Sequence, residues 1–207
     1  MRTPIVEIDP AHPEKAFSRC GDVIRAGGVI VYPTDTFYGL GADPRNPVAV
    51  RRLFEIKGRH VDEPILLLVK DAAEVRDWAS EINPAAKRLM KKFWPGPLTL
   101  VFKAKPGVMT DLTGGTGTIG LRVPGNPLTR QLLAFHGSAL TGTSANISGR
   151  SSPCTAQEAA EAIGGMVELV LDGGRTAGGK PSTVVDVSAE DPKVIREGAI
   201  PSREILG

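Results

Sequence analysis

The chain is short of several things, and each shortage closes off a class of function. Only two cysteines, Cys20 and Cys154, occur in 207 residues, far apart and with no Cys-x-x-Cys pair, so neither a disulfide framework nor a structural zinc site is indicated. Three histidines, His12, His60 and His136, are too scattered for a metal cluster. None stands near a Gly-x-Ser-x-Gly elbow, which leaves histidine-based nucleophilic catalysis without support. No apolar run approaches the roughly 20 residues that a membrane-spanning helix needs. The first ten residues have no apolar stretch of the kind a secretory signal carries, so a cytoplasmic location with no membrane partner is expected. Aromatics make up 5% of the chain and are not interleaved with Arg and Lys as in a base-stacking platform. A net charge of +2 does not mark a nucleic-acid binder, so any basic patch must be local and contact with RNA stays open.

What is present is an alternation of short β-branched runs with amphipathic stretches of helix length, the pattern of an α/β protein. Strands are expected at 28–32, 65–69, 98–102, 119–123, 167–171, 183–187 and 194–196, enough for one large sheet. Helices are expected at 13–26, 47–56, 84–92, 127–135 and 155–163, and four of the five begin at a proline. Proline suits a first helical position, because its φ is already helical and its missing N–H is not needed there. No linker, repeat or charge block divides the chain, and residues 1–207 read as one domain with no second C-terminal domain.

The 24 glycines and 17 prolines gather between these elements, at 33–41, 94–97, 113–117, 142–153 and 173–181, and loops so long and Gly-rich usually bind something. Two familiar motifs within them fail. Gly115–Gly120 fits G-x-G-x-x-G, but a strand rather than a helix follows, so no helix dipole is available for a pyrophosphate. Gly174–Lys180 matches the start of a Walker A loop, but Pro181 replaces its Ser or Thr and a strand follows here too.

What remains are segments rich in hydroxyls, backbone donors and isolated cations: Pro33–Gly39, Lys57–Arg59, Gly120–Pro124, Thr143–Gly149 and Lys180–Thr183. Such a set suits phosphates and a carboxylate, where fixed donors and positive charge do the work without a proton-transferring base. Taken singly, several have duller readings. Lys57 and Arg59 could offset the C-terminal dipole of a surface helix, and Ser144, Asn146 and Ser148 could bond their own backbone in a turn. Arg122 is harder to dismiss, since a charge within an apolar strand needs an anionic partner.

Six pieces in this order, Tyr32–Gly41, Lys57-Gly58-Arg59, Trp94–Thr99, Arg122-Val123-Pro124, Thr143–Gly149 and Pro181–Asp186, make the chain resemble the YrdC-like family of threonylcarbamoyl-AMP synthases over about residues 28–198. The resemblance implies an α/β YrdC-like fold, with a strongly twisted mixed sheet and flanking helices around a positively charged cavity. It implies synthesis of L-threonylcarbamoyladenylate from ATP, L-threonine and bicarbonate with release of pyrophosphate, for threonylcarbamoyladenosine modification of tRNA. Lys57, Arg59, Ser144 and Asn146 would then be the catalytic tetrad facing the phosphates. Thr118, Ser152 and Arg196 would add ATP contacts, and Thr36, Arg122, Gly142 and Ser182 would hold threonine, with Arg122 clamping its carboxylate. Mg²⁺ would be held mainly by the ATP phosphates, with no protein metal site. The product would pass to a downstream tRNA-modifying transferase complex, with weak tRNA contact.

Two positions depart from the family pattern: Glu63 and Leu68 stand where many relatives have Asn and His. Without a second domain, the cavity's lid is expected to be a loop, a terminus or a partner. Three alternatives remain open at this level: an RNA-binding module, a carbamoyl-transfer role, and a YrdC-like paralogue acting on a different acceptor.

Overall fold

A computed structural model describes residues 3–9 and 11–206. The four proline starts hold: α1 (Pro13–Arg25), α2 (Pro47–Lys57), α4 (Pro84–Phe93) and α6 (Pro127–His136) each open on the expected residue. Three of these prolines follow an asparagine that closes the helix end. Asn46 accepts from the N–H groups of Val48 and Ala49, Asn83 from Ala86, and Asn126 from Leu128 and Thr129. Each such cap contributes about 1 kcal/mol. Helix α7 (Ala156–Ala162) is capped in the same way by Thr155. Short helices α3 (Val75–Trp78), α5 (Thr110–Thr113) and α8 (Ser202–Leu206) were not expected, being too short to show a helical period.

All seven expected strands are present, but they divide between two mixed sheets instead of forming one. The first sheet has the order β1 (Ile5–Glu7), β9 (Leu169–Asp172), β2 (Ile30–Pro33), β3 (Tyr38–Gly41), β8 (Thr143–Ser144). The second has the order β11 (Lys193–Arg196), β10 (Thr183–Asp186), β5 (Leu98–Lys103), β6 (Thr118–Arg122), β4 (Leu67–Leu68), β7 (Leu140–Thr141). Strands β1, β9 and β2 run parallel, while β3 lies antiparallel to both β2 and β8. In the second sheet β6 is parallel to β4 and antiparallel to β5.

Strand β2 shows why the division is stable. Its neighbour Val29 and its own Val31 point into a core that spans both sheets, whereas Ile30 and Tyr32 point into a second core with α1 and α6. A strand buried on both faces in this way must be apolar throughout, as Ile-Val-Tyr-Pro is. Phe17 of α1 meets Phe135 of α6 with ring centroids 6.0 Å apart.

Gly142 is the single residue between β7 and β8, so the chain passes there from one sheet to the other. Its N–H donates to the Leu66 carbonyl at 2.8 Å. A Cβ at this point would lie 2.7 Å from Leu66 Cδ1 and 2.9 Å from Leu68 Cγ, which is why the corner carries no side chain. Both refused motifs lead into strands: the Gly115–Gly120 motif runs into β6, which begins at Thr118, and β10 follows the segment ending at Lys180. Both cysteines are free thiols.

Candidate active site

Where the sheets meet, residues from β3, β4, β6 and β8 enclose a cavity of about 410 Å³. Helix α2 delivers the first cation. Gly58 adopts the left-handed conformation (φ 59°), its N–H donates to the Glu55 carbonyl, and that of Arg59 donates to Phe54, so the helix stops and turns. Nothing would crowd a side chain at Gly58, so the glycine is required for its φ alone. The turn sends both Lys57 and Arg59 into the cavity wall.

Lys57 is only 4% exposed, which rules out a surface cation offsetting a helix dipole. Its ammonium donates to the carbonyls of Ser144 (2.8 Å) and Asn146 (2.9 Å) and to Asn146 Oδ1 (3.2 Å). Ser144 Oγ donates to the same Oδ1 at 2.6 Å, Asn146 Nδ2 donates to the Arg150 carbonyl, and the Ser148 N–H returns to the Lys57 carbonyl at 2.9 Å. Three of the four tetrad residues thus form one hydrogen-bonded ring across two distant segments. Burial, reinforced by the charge of Arg59 and opposed by Glu63, pushes the Lys57 ammonium down to about 8.

Arg59 completes the group from beside the ring. Its Nη2 donates to the carbonyls of Glu63 (2.7 Å) and Pro64 (2.8 Å), and its guanidinium lies over the Phe54 ring at 5.5 Å. Nε is buried without a hydrogen bond, 3.7 Å from a Glu63 carboxylate oxygen. Burial lowers its pKa, against the pull of Glu63. Glu63 therefore sits on Arg59, while Leu68 joins Leu66 and Pro64 as apolar lining.

A further part of the wall is built around Arg122, also 4% exposed. Its Nε donates to the Gly96 carbonyl at 3.0 Å and its Nη2 pairs with Asp35 Oδ1, leaving Nη1 without a protein partner among the described residues. The anion that an arginine in an apolar strand requires is thus supplied by Asp35. Asp35 lies inside the hydroxyl-rich segment, but sequence alone could not pair it with a residue 87 positions away. Thr36 is buried with its hydroxyl 3.1 Å from that of Thr34, and its carbonyl accepts from Gly178. Ser182 and Thr99 hydroxyls lie 3.0 Å apart, and Arg196 Nη2 donates to the Ser182 carbonyl at 2.8 Å.

Lys57, Arg59, Ser144, Asn146, Ser152, Arg196, Thr36, Arg122, Gly142 and Ser182 all line this one cavity. Thr118 does not; it begins β6, opposite Lys103, with its hydroxyl 2.8 Å from that of Thr116. Four cations and no carboxylate line the cavity among the described residues, with Asp35 placed behind Arg122. Hydroxyls, an amide and cations do not fit a protein-held magnesium ion, which wants carboxylate oxygens. The described residues also contain no cluster of His, Cys, Asp and Glu suited to a metal. Four cations beside hydroxyls suit an anion.

Residues 22–198 match the family model Sua5/YciO/YrdC, described as telomere recombination. The threonylcarbamoyl-AMP synthase of Pyrococcus abyssi is 40% identical over 182 residues, covering 88% of this chain and 54% of that protein. A putative threonylcarbamoyl-AMP synthase of Methanocaldococcus jannaschii is 37% identical over 203 residues, covering 97% and 94%. The crystal structure of P. abyssi Sua5 complexed with L-threonine superposes with a TM-score of 0.93 at 37% identity, covering 98% of this chain and 60% of that one. The chain spans about half the length of the first curated relatives it matches, 54% and 53%. With its fold and most of its length shared with these proteins, the chain belongs to the Sua5/YciO/YrdC family.

Proposed function

We propose that this chain makes L-threonylcarbamoyladenylate from MgATP, L-threonine and bicarbonate, releasing pyrophosphate as a nucleotidyltransferase. The observation that carries the reading is the placement of the Lys57–Ser144–Asn146 ring and the Arg122 guanidinium in the wall of one cavity. One end is suited to phosphates and the other to a carboxylate. Relatives named threonylcarbamoyl-AMP synthase and a relative's complex with L-threonine support it. A cytoplasmic location, and delivery of the product to a transferase complex that modifies tRNA, complete the proposal.

In this mechanism Arg122 Nη1 receives the threonine carboxylate, while Thr36 and Ser182 offer hydroxyls to its polar groups. The threonine amine adds to CO₂ derived from bicarbonate and loses a proton, giving a carbamate. A carbamate oxygen attacks the α-phosphorus of ATP, and the bond to the β-phosphate oxygen breaks as pyrophosphate leaves. Arg59 and Lys57 offset the charge that builds up. Lys57 does so through its field, because its three protons already point at protein oxygens. Alignment of three small reactants and fixed positive charge supply the acceleration, and no general base is needed from the wall. An enclosed site also protects the labile carbamate from water.

The test is pyrophosphate release from ATP with threonine, with serine and with no amino acid, each with and without bicarbonate. Release dependent on both threonine and bicarbonate is expected. Release with serine at the threonine rate would point to a paralogue with another acceptor. No ATP consumption, together with RNA affinity that falls steeply with salt, would point to an RNA-binding module.

A further inference from the structure

A second cavity, of about 460 Å³, lies on the far side of the turn that carries Trp94, Pro95 and Gly96. The carbonyl of buried Gly96 holds Arg122 of the first cavity's wall, while Trp94 and Pro95 wall the second. The end of β6 makes the same division: Arg122, its last residue, lines one cavity and the next residue, Val123, lines the other.

The wall of this groove is apolar and fixed. Met90 and Val123 are buried at its base, and half-buried Trp94 is held by its indole N–H, which donates to the Leu98 carbonyl at 2.7 Å. With the ring edge tied down, the ring offers a face. The rim is cationic. Lys87 and Lys91 stand four residues apart on one face of α4, Lys70 follows β4, and Arg130 comes from α6. None of the four makes an ion pair or a side-chain hydrogen bond among the described residues. The only acid in the lining, Asp71, uses Oδ1 to accept from the N–H groups of Ala73 and Glu74. In a chain of net charge +2, four unpartnered cations converging from three elements are a local concentration that calls for an anion.

A pure polyanion has no use for the tryptophan face, and an apolar ligand has none for the rim. A nucleotide needs both, an aromatic face for its base and cations for its phosphate, and the volume falls in the range of small-ligand sites. We propose that this groove binds a nucleotide unit, its base against Trp94 and its phosphate on Lys87, Lys91 and Arg130, separate from the reaction cavity. The same chemistry is offered by a free nucleotide and by one residue of a single-stranded RNA.

Trp78→Phe leaves Trp94 as the sole tryptophan, and its fluorescence then reports on the groove. The full chain is titrated with ADP, with a 5′-phosphorylated tetraadenylate and with inorganic pyrophosphate. Saturable quenching is expected, weakening as salt rises. Quenching by ADP assigns the groove to free nucleotides; quenching by the tetraadenylate alone assigns it to RNA. The double change Lys87→Glu with Lys91→Glu should raise the dissociation constant about tenfold or more, as expected when charge-assisted contacts are lost. It should leave threonine-dependent pyrophosphate release intact, whereas Arg59→Ala should leave the quenching intact, so the two sites fail separately. Should Trp78→Phe not fold, the Trp94 indole N–H resonance of the unaltered chain gives the same readout. No quenching by either ADP or the tetraadenylate, quenching unchanged by the double substitution, or equal binding of pyrophosphate would overturn the proposal.

Discussion

Arg122, in the wall of the cavity, and Asp35 form a nearly buried ion pair, yet Asp35 Oδ2 is buried without a hydrogen-bond partner among the described residues. The carboxylate therefore holds the guanidinium by one oxygen, and the arginine keeps Nη1 for another anion. Asp35→Asn preserves an acceptor but leaves Arg122 without its counter-charge, which should cost about 1–3 kcal/mol. The melting temperature should fall by about 2–12 °C for a chain of this size. Because threonine would then supply the only carboxylate at Arg122, its addition should raise the melting temperature more in Asp35→Asn than in the unaltered chain. Equal thermal shifts in the two proteins would count against Arg122 as the carboxylate clamp.

Lys57 sets an alkaline limit. Its ordinary value is 10.5 and burial brings it to about 8, so the folded chain gives up this proton before the unfolded chain does. Between those two pH values the unfolded state binds the extra proton, and this residue's contribution to stability rises with pH. The positive charge proposed to act on the phosphates through its field is lost over the same interval. ATP affinity should therefore weaken as pH rises through 8 while the unliganded fold does not. Calorimetric titrations across that range should show a flatter profile for Lys57→Arg, whose guanidinium stays charged.

At the corner between the sheets, Gly142→Ala pushes a methyl group against Leu66 and Leu68, both of which line the cavity. Overpacking of this kind costs about 1–3 kcal/mol. The leucine ends can yield only toward the open space. Threonine affinity should fall more than ATP affinity in parallel binding measurements, and an equal fall would place the amino-acid pocket elsewhere.

Glu63 lies beside Arg59 with its side chain half exposed, so its charge opposes a phosphate only weakly. Glu63→Gln should tighten ATP binding by about two- to fivefold at low salt, with the gain shrinking as ionic strength rises. A loss of ATP affinity would instead mean that this carboxylate is needed to aim the guanidinium.

The parts of this protein that could be read from its sequence are those fixed by local chemistry. Proline at positions 13, 47, 84 and 127 sets the helix starts, and β-branched runs mark the seven strands. Strand β3 reads as loop because it is Tyr-Gly-Leu-Gly; the glycine at 41 is there to admit the ring of Tyr32, a contact between strands that no local pattern announces. The division into two sheets escaped for a similar reason. Leu67–Leu68 pairs on one side with β6 and on the other with β7, and both partners are distant in the chain. At the site, the hydroxyls and cations were visible as residue types. Their ring around Lys57, and the pairing of Arg122 with Asp35, arise only when segments roughly ninety positions apart close on each other, as the 87-residue separations show.

Strand β6 ends between two compartments, with Arg122 in the wall of one and the next residue, Val123, in the wall of the other, and its alignment is locked from both sides: Leu121 stands opposite Leu100 of β5 and Leu67 of β4. A slip of one residue would turn Arg122 toward the tryptophan groove and Val123 into the polar chamber, exchanging the chemistry of both at a stroke. A single insertion or deletion within 118–122 should therefore be far more damaging to both compartments than any one substitution there, because neither could be repaired without spoiling the other.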